Sequence, residues 1–253
     1  MLFRSGRVTF TALFALITYL ALKEFYCMAE GMKVSPNKVP GIIAGLLIFI
    51  SNALIAVDIL PLKILILNLP LIFLLFLLEL YRRRTNPFTN VAYTLIGIIY
   101  VALPLSLLNY LADPGFTFNE FNHTYLLGFF AMVWFNDTGA YLIGTAIGKN
   151  RLLEKVSPKK TWEGAIGGGV TCLAAALVMS FFLSDLGLVN WIIISIIISV
   201  FGTYGDLFES LLKRCINTKD SGRILPGHGG VLDRFDGVLM ATPFVFVYLT
   251  WVY

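Results

Sequence analysis

The sequence predicts an all-α integral membrane protein, a polytopic bundle of about eight transmembrane helices. Three observations carry this expectation. The chain of 253 residues is 58% hydrophobic and only 13% charged, about half the charged fraction of an ordinary soluble domain. Its mean hydropathy is +0.81. Long uncharged runs recur along its whole length, and the basic residues gather in alternate connectors between them.

Taken in order, the uncharged runs are 8–22, 41–57, 64–78, 88–112, 121–136, 164–184, 186–205 and 237–253. A helix crosses the hydrocarbon with about 20 apolar residues, within a range of about 17–25. The shorter runs reach that length if Lys23, Lys63 and Glu79 extend their charged heads to the lipid headgroups. The first run leads into Lys23-Glu24 with no small-residue cleavage site, so it reads as a retained helix rather than a removed signal. Residues 1–253 are therefore expected to form a single membrane domain. Cys27, Cys172 and Cys215 show neither zinc spacing nor a disulfide pattern and read as inert thiols.

With eight spans, one side of the membrane receives connectors 29–40, 81–87, 149–163 and 213–236, which hold 15 of the 19 basic residues. The opposite connectors 111–122 and 185–190 hold none. Basic loops stay in the cytoplasm, so this side is expected to be cytoplasmic. Arg4 and Arg7 fall on the wrong side, as they would if a helix preceding Val8 were missing.

Acidic residues within or at the ends of these runs are the first functional candidates. Asp137 interrupts the apolar stretch 121–147. A carboxylate at a helix centre costs about 2.5–3.5 kcal/mol on insertion, and such residues usually face a polar cavity. Asp137, Tyr141, Gly144 and Gly148 share one helix face. Asp206 follows 20 uncharged residues and ends its helix, with Glu209, Ser210 and Lys213 on the same face. Asp206 reads as a metal ligand and Glu209 as the structural partner of Lys213. Asp233 and Asp236, spaced i, i+3, converge if the last helix begins near Leu232. Hard carboxylate oxygens from two helices suit Mg²⁺, which binds one or two carboxylates together with substrate phosphates.

The basic connectors supply the complementary charge. Pro226-Gly227-His228-Gly229-Gly230 is a stiff entry into a permissive turn whose backbone N–H groups form an anion nest. Lys213, Arg214, Lys219 and Arg223 surround it, which makes a triphosphate cradle. His228 is either a general acid or a hydrogen-bond donor to phosphate. In Ser157-Pro158-Lys159-Lys160-Thr161-Trp162-Glu163-Gly164, serine before proline reads as N-cap and first helical residue. That places Lys159 and Lys160 at a helix N-terminus, where anions are favoured. Gly164 and Gly168 read as helix-packing positions.

These residues resemble a known family. Ser210, Lys213-Arg214, Lys219-Asp220, Gly222, Leu225-Pro226, His228-Gly229-Gly230, Asp233-Arg234 and Asp236 stand at the spacings of the phosphatidate cytidylyltransferase (CDP-diacylglycerol synthase) signature. The similarity extends to 136–141, 157–164, 205–207 and Glu24-Phe25-Tyr26, and is strongest over 134–236. The resemblance implies transfer of CMP from CTP to phosphatidate, giving CDP-diacylglycerol and pyrophosphate. It implies Mg²⁺, with a second cation beside it, and often a homodimer. It places the enzyme in a bacterial-type inner membrane with its active site facing the cytoplasm, and it implies no nucleic-acid partner.

Carried over by motif, Asp206, Asp233 and Asp236 would hold the metal. Lys213, Arg214, Lys219, Asp220 and His228 would serve catalysis at the phosphates, with Asp220 either binding metal or orienting Lys219. Asp137, Ser157, Lys159, Lys160, Ser210, Gly229, Gly230 and Arg234 would bind substrate. The chain is one N-terminal helix short of the family's usual pattern. Two other readings differ in chemistry. A CTP-dependent polyprenol kinase would need a base for a hydroxyl proton, and an ion transporter would place Asp137 and Asp206 on an ion path.

Overall fold

The structure is a computed structural model that describes residues 6–112, 123–183, 186–218, 221–222 and 229–252. Lys219, Asp220 and His228 lie outside the described residues, as does Arg4. Among the described residues there are eight helical spans long and apolar enough to cross a membrane, as the hydropathy runs predict. They are built from α1 (Arg7–Gly31), α2 (Lys38–Ile55), α3 (Asn68–Arg82, entered through a 3₁₀ turn Leu62–Leu67), α4 (Pro87–Gly97), α5 (Leu103–Leu111), α6 (His123–Ile147), α7 (Trp162–Phe182), α8 (Gly187–Cys215) and α9 (Leu232–Val252). The protein is a multi-pass membrane protein.

α4 and α5 form one span joined by a π-helical turn, Ile98–Ala102. Pro104 explains the join. It has no N–H to donate to Tyr100, and its ring crowds that carbonyl, so the turn before it widens instead of breaking. α4 itself starts on Pro87, where a missing N–H costs nothing.

Lipid offers no hydrogen bonds, so the polar groups of the bundle pair internally. Tyr26 of α1 is fully buried and donates its hydroxyl to the Thr94 carbonyl at 2.9 Å. Gly41 and Gly97 lie against its ring so closely that a Cβ at either would overlap it. Tyr110 donates to Asn52 Oδ1 at 2.9 Å and ties α5 to α2. The outer surface carries exposed Leu69, Phe73, Leu77 and Leu80 on α3 and Ile166 and Val170 on α7, as a lipid-facing surface should.

The second half positions the site. α6 packs along α7, and α8 along α9. Gly164 and Gly168 are the contact residues on α7, since a Cβ there would meet the carbonyl oxygens of Ala140 and Asn136 on α6. Thr171 then donates to the Phe135 carbonyl at 2.8 Å. The packing role expected for the two glycines is the one they have.

Two local expectations are corrected. The reading of 157–164 as a helix start is replaced by an antiparallel hairpin, β1 (Arg151–Leu153) with β2 (Ser157–Thr161). Thr161, not Ser157, caps α7, accepting from Gly164 N at 3.2 Å. The cause is Glu163, whose carboxylate accepts from the backbone N–H groups of Lys149 and Asn150 at 3.1–3.2 Å and fixes the chain's return. α8 does not end within 205–210 but continues to Cys215, because its last two turns are amphipathic rather than apolar. α6 continues through Asp137 to Ile147, as the helical spacing of Asp137, Tyr141 and Gly144 predicts.

Replacing Gly168 by valine should force α6 and α7 apart. We expect a loss of about 1–3 kcal/mol, read as a lower thermal midpoint of the detergent-solubilised protein. An unchanged midpoint would contradict the close-packed seam.

Candidate active site

The close approach of α8 and α9 builds the site. A Cβ at Gly205 would overlap the backbone carbonyl of Asp236, so only glycine permits this contact. The two helices meet where Asp206 and Asp236 sit, and Glu209 follows one turn along α8. One carboxylate oxygen from each of Asp206, Glu209 and Asp236 lies within 4.8 Å of the others.

These carboxylates line a cavity of about 430 Å³ between α6, α7, α8, α9 and the hairpin. Of the residues singled out in the sequence, Asp137, Lys159, Lys160, Asp206, Lys213, Asp233 and Asp236 reach this one cavity. Asn136, Tyr141 and Gly144 join Asp137 on the α6 wall, the face expected from helical spacing. Gly148, expected on that face, packs at Thr161 instead. Ser157, Ser210, Arg214, Gly229, Gly230 and Arg234 are not part of the lining. Ser157 pairs with Leu153 in the hairpin. Arg214 donates Nε to the Val156 carbonyl at 3.3 Å, holding the hairpin to α8. Ser210 Oγ stands 3.4 Å from Asp206 Oδ1 as its hydrogen-bond donor.

The charges are arranged in two groups. Lys213 Nζ sits 2.8 Å from both Glu209 Oε2 and Asp233 Oδ1. The second Asp233 oxygen accepts from Ser221 N at 3.0 Å and Gly230 N at 2.7 Å. Lys160, on the hairpin, pairs with Asp206 Oδ2. Its place on a strand rather than a helix N-terminus is what lets it cross to α8.

The expected ligands were Asp206, Asp233 and Asp236, whereas the oxygens that lie within 4.8 Å of one another belong to Asp206, Glu209 and Asp236. Asp233 lies in the cavity, but both its oxygens are engaged by Lys213 and the loop. Glu209 stands in the carboxylate group instead. Helical spacing had put Glu209 on the face of Asp206, and its pairing with Lys213 is real. Sequence could not show that its other oxygen remains over.

The residues fit a divalent cation on two counts. Glu209 Oε1 is buried with no hydrogen-bond partner among the described residues, as is Asn136 Oδ1 in the same cavity wall. Among the described residues of the lining, five carboxylates (Asp137, Asp206, Glu209, Asp233 and Asp236) face three lysines, a formal excess of two negative charges. An acceptor-only oxygen without a donor is costly in a low-dielectric site, and hard oxygen ligands are what Mg²⁺ takes.

Lys213→Met leaves Glu209 and Asp233 without their shared cation. Removing one partner of a buried ion pair costs about 3–5 kcal/mol, so this variant should melt well below the parent in detergent. An unchanged melting curve would show that the pair is dispensable.

Known proteins resemble this chain over nearly its whole length. The model of the cytidylyltransferase family matches residues 1–252. The phosphatidate cytidylyltransferase of Staphylococcus saprophyticus is 39% identical over 240 residues, covering 92% of this chain and 87% of that protein. That of Staphylococcus haemolyticus is 38% identical over 250 residues, covering 96% and 91%, and that of Staphylococcus epidermidis is 35% identical over 240 residues, covering 92% and 87%. With its family's match running from the first helix to the last, this chain belongs to the cytidylyltransferase family.

Proposed function

We propose that this chain is a phosphatidate cytidylyltransferase. A phosphate oxygen of phosphatidate attacks the α-phosphorus of CTP, the bond from that phosphorus to the bridging oxygen breaks, and pyrophosphate leaves with CDP-diacylglycerol formed. The observation that carries this reading is the carboxylate group of Asp206, Glu209 and Asp236 beside Lys160 and Lys213 in one cavity among membrane helices. The names of the relatives agree with it.

The chemistry requires no general base. The second pKa of a phosphate monoester is about 6, so the lipid nucleophile is already ionised at neutral pH. No base has to remove a proton, and no Ser-His or Cys-His pair is needed. The difficulty is bringing a dianion to a polyanionic nucleotide, so the residues must position and neutralise.

Asp206, Glu209 and Asp236 would hold the cation, for which Mg²⁺ is the fit by ligand type. When bound, it neutralises phosphoryl oxygens and orients them. Lys160 and Lys159 offer their ammonium groups from the hairpin, and Lys213 offers its own from α8. Asp233 keeps Lys213 aimed into the cavity and holds the loop ends at Ser221 and Gly230. Asp137 lies on the α6 wall of the same cavity, where it bounds the substrate space. Lys219, Asp220, His228, Gly229, Gly230 and Arg234 would take the phosphate-side roles implied by their motif, while Arg214 secures the hairpin through Val156 and Ser157 and Ser210 support the walls. The basic charge of the connectors supports a cytoplasmic position for this end, where CTP is available, with the acyl chains in the bilayer.

Purified protein given CTP, phosphatidate and Mg²⁺ should release pyrophosphate and form a CDP-lipid, and chelation should stop it. Asp236→Asn should lower kcat by about two to three orders of magnitude, the scale of losing one preorganised charge-stabilising group, with insertion intact. CDP and a lipid phosphate as products would instead identify a kinase, and full activity of Asp236→Asn would remove the metal assignment.

A further inference from the structure

Glu24 lies in α1, far in sequence from every residue of the cavity, and is 4% exposed. Its Oε2 accepts from the backbone N–H of Leu232 at 2.9 Å and stands 3.4 Å from the Ser221 hydroxyl as its acceptor. Leu232 is the first residue of α9, so Glu24 caps that helix from 208 positions away. Its other oxygen is buried with no partner among the described residues.

The same segment is gripped twice. Asp233 accepts from Ser221 N and Gly230 N, while Glu24 accepts from Ser221 Oγ and Leu232 N. Gly222 and Gly230 lie directly on the Glu24 carboxylate, and a Cβ at either would overlap it. Two carboxylates, one from the first helix and one from the last, therefore fix where the signature connector ends and where α9 begins.

We propose that Glu24 is a positioning residue for nucleotidyl transfer. It sets the start of α9 so that Asp236 faces Asp206 and Glu209, and it sets Ser221 and Gly230 so that Asp233 aims Lys213. It acts as a hydrogen-bond acceptor rather than as a charge on the substrate, and it makes α1 part of the catalytic apparatus without touching the reacting atoms. The inference rests on the cytidylyltransfer reading above, and a failure of that reading is visible separately as absent turnover in the parent protein.

Glu24→Gln, Glu24→Ala, Gly222→Ala and the Glu24→Ala/Gly222→Ala double variant provide the test, assayed as purified protein for pyrophosphate release from CTP, phosphatidate and Mg²⁺. In Glu24→Gln the amide oxygen replaces Oε2 and the amide nitrogen replaces the oxygen that has no donor, so kcat should stay within about threefold of the parent. Glu24→Ala should lower kcat at least tenfold and raise the Mg²⁺ concentration for half-maximal rate severalfold, with KM for phosphatidate unchanged. Gly222→Ala, which only displaces the carboxylate, should shift the same two quantities in the same direction. In the double variant the overlap is gone, so its loss should not exceed that of Glu24→Ala.

Parent kinetics in Glu24→Ala, inactivity of Glu24→Gln equal to that of alanine, or additive losses in the double variant would each overturn the proposal. Should Glu24→Ala fail to fold, Gly222→Ala and Glu24→Gln decide alone. Unchanged kcat and Mg²⁺ dependence in Gly222→Ala would then refute it.

Discussion

The contact between α8 and α9 at Gly205 is the constraint on which the rest depends. It brings Asp206, Glu209 and Asp236 within 4.8 Å of one another at the polar end of an otherwise apolar bundle. Like charges at that separation repel strongly where the dielectric is low. The surrounding structure answers with Lys160 from the hairpin and Lys213 from α8, and still leaves an excess of acid among the lining residues. A cation bound there would relieve both the repulsion and the partnerless Glu209 oxygen. The site and the substrate charge it must manage thus follow from one helix crossing.

Much of the fold was legible because a bilayer imposes a length. All eight spans coincide with uncharged runs, and the basic connectors between them mark alternate sides. The ends of the helices were not legible from hydropathy. α8 runs on to Cys215 and α6 to Ile147 because a helix leaving the hydrocarbon keeps its backbone bonds while its side chains turn polar. The hairpin at 151–161 was hidden for a different reason. Ser157-Pro158 has the local chemistry of a helix start, but Glu163 reaches back to Lys149 and Asn150 and Thr161 takes the cap.

The site shows the same division. Spacing along one helix correctly put Asp137 with Tyr141 and Gly144, and Asp206 with Glu209 and Lys213. Spacing gives a shared face, but it does not give which oxygen is left over once partners are assigned. Asp233 and Glu209 differ in this respect. Each has Lys213 on one oxygen, but the loop N–H groups take the other oxygen of Asp233 and nothing described takes that of Glu209. Glu24 could not have been assigned at all from its own surroundings, since the groups it serves are some 200 residues distant.

The most direct test of the central claim is to find the cation itself. Crystals of the protein grown with Mn²⁺ in place of Mg²⁺ should show an anomalous peak bound by Asp206, Glu209 and Asp236, and the peak should vanish in Asp236→Asn. A peak held by Asp233 in place of Glu209, or no peak at this crossing in protein that turns over CTP, would contradict the account.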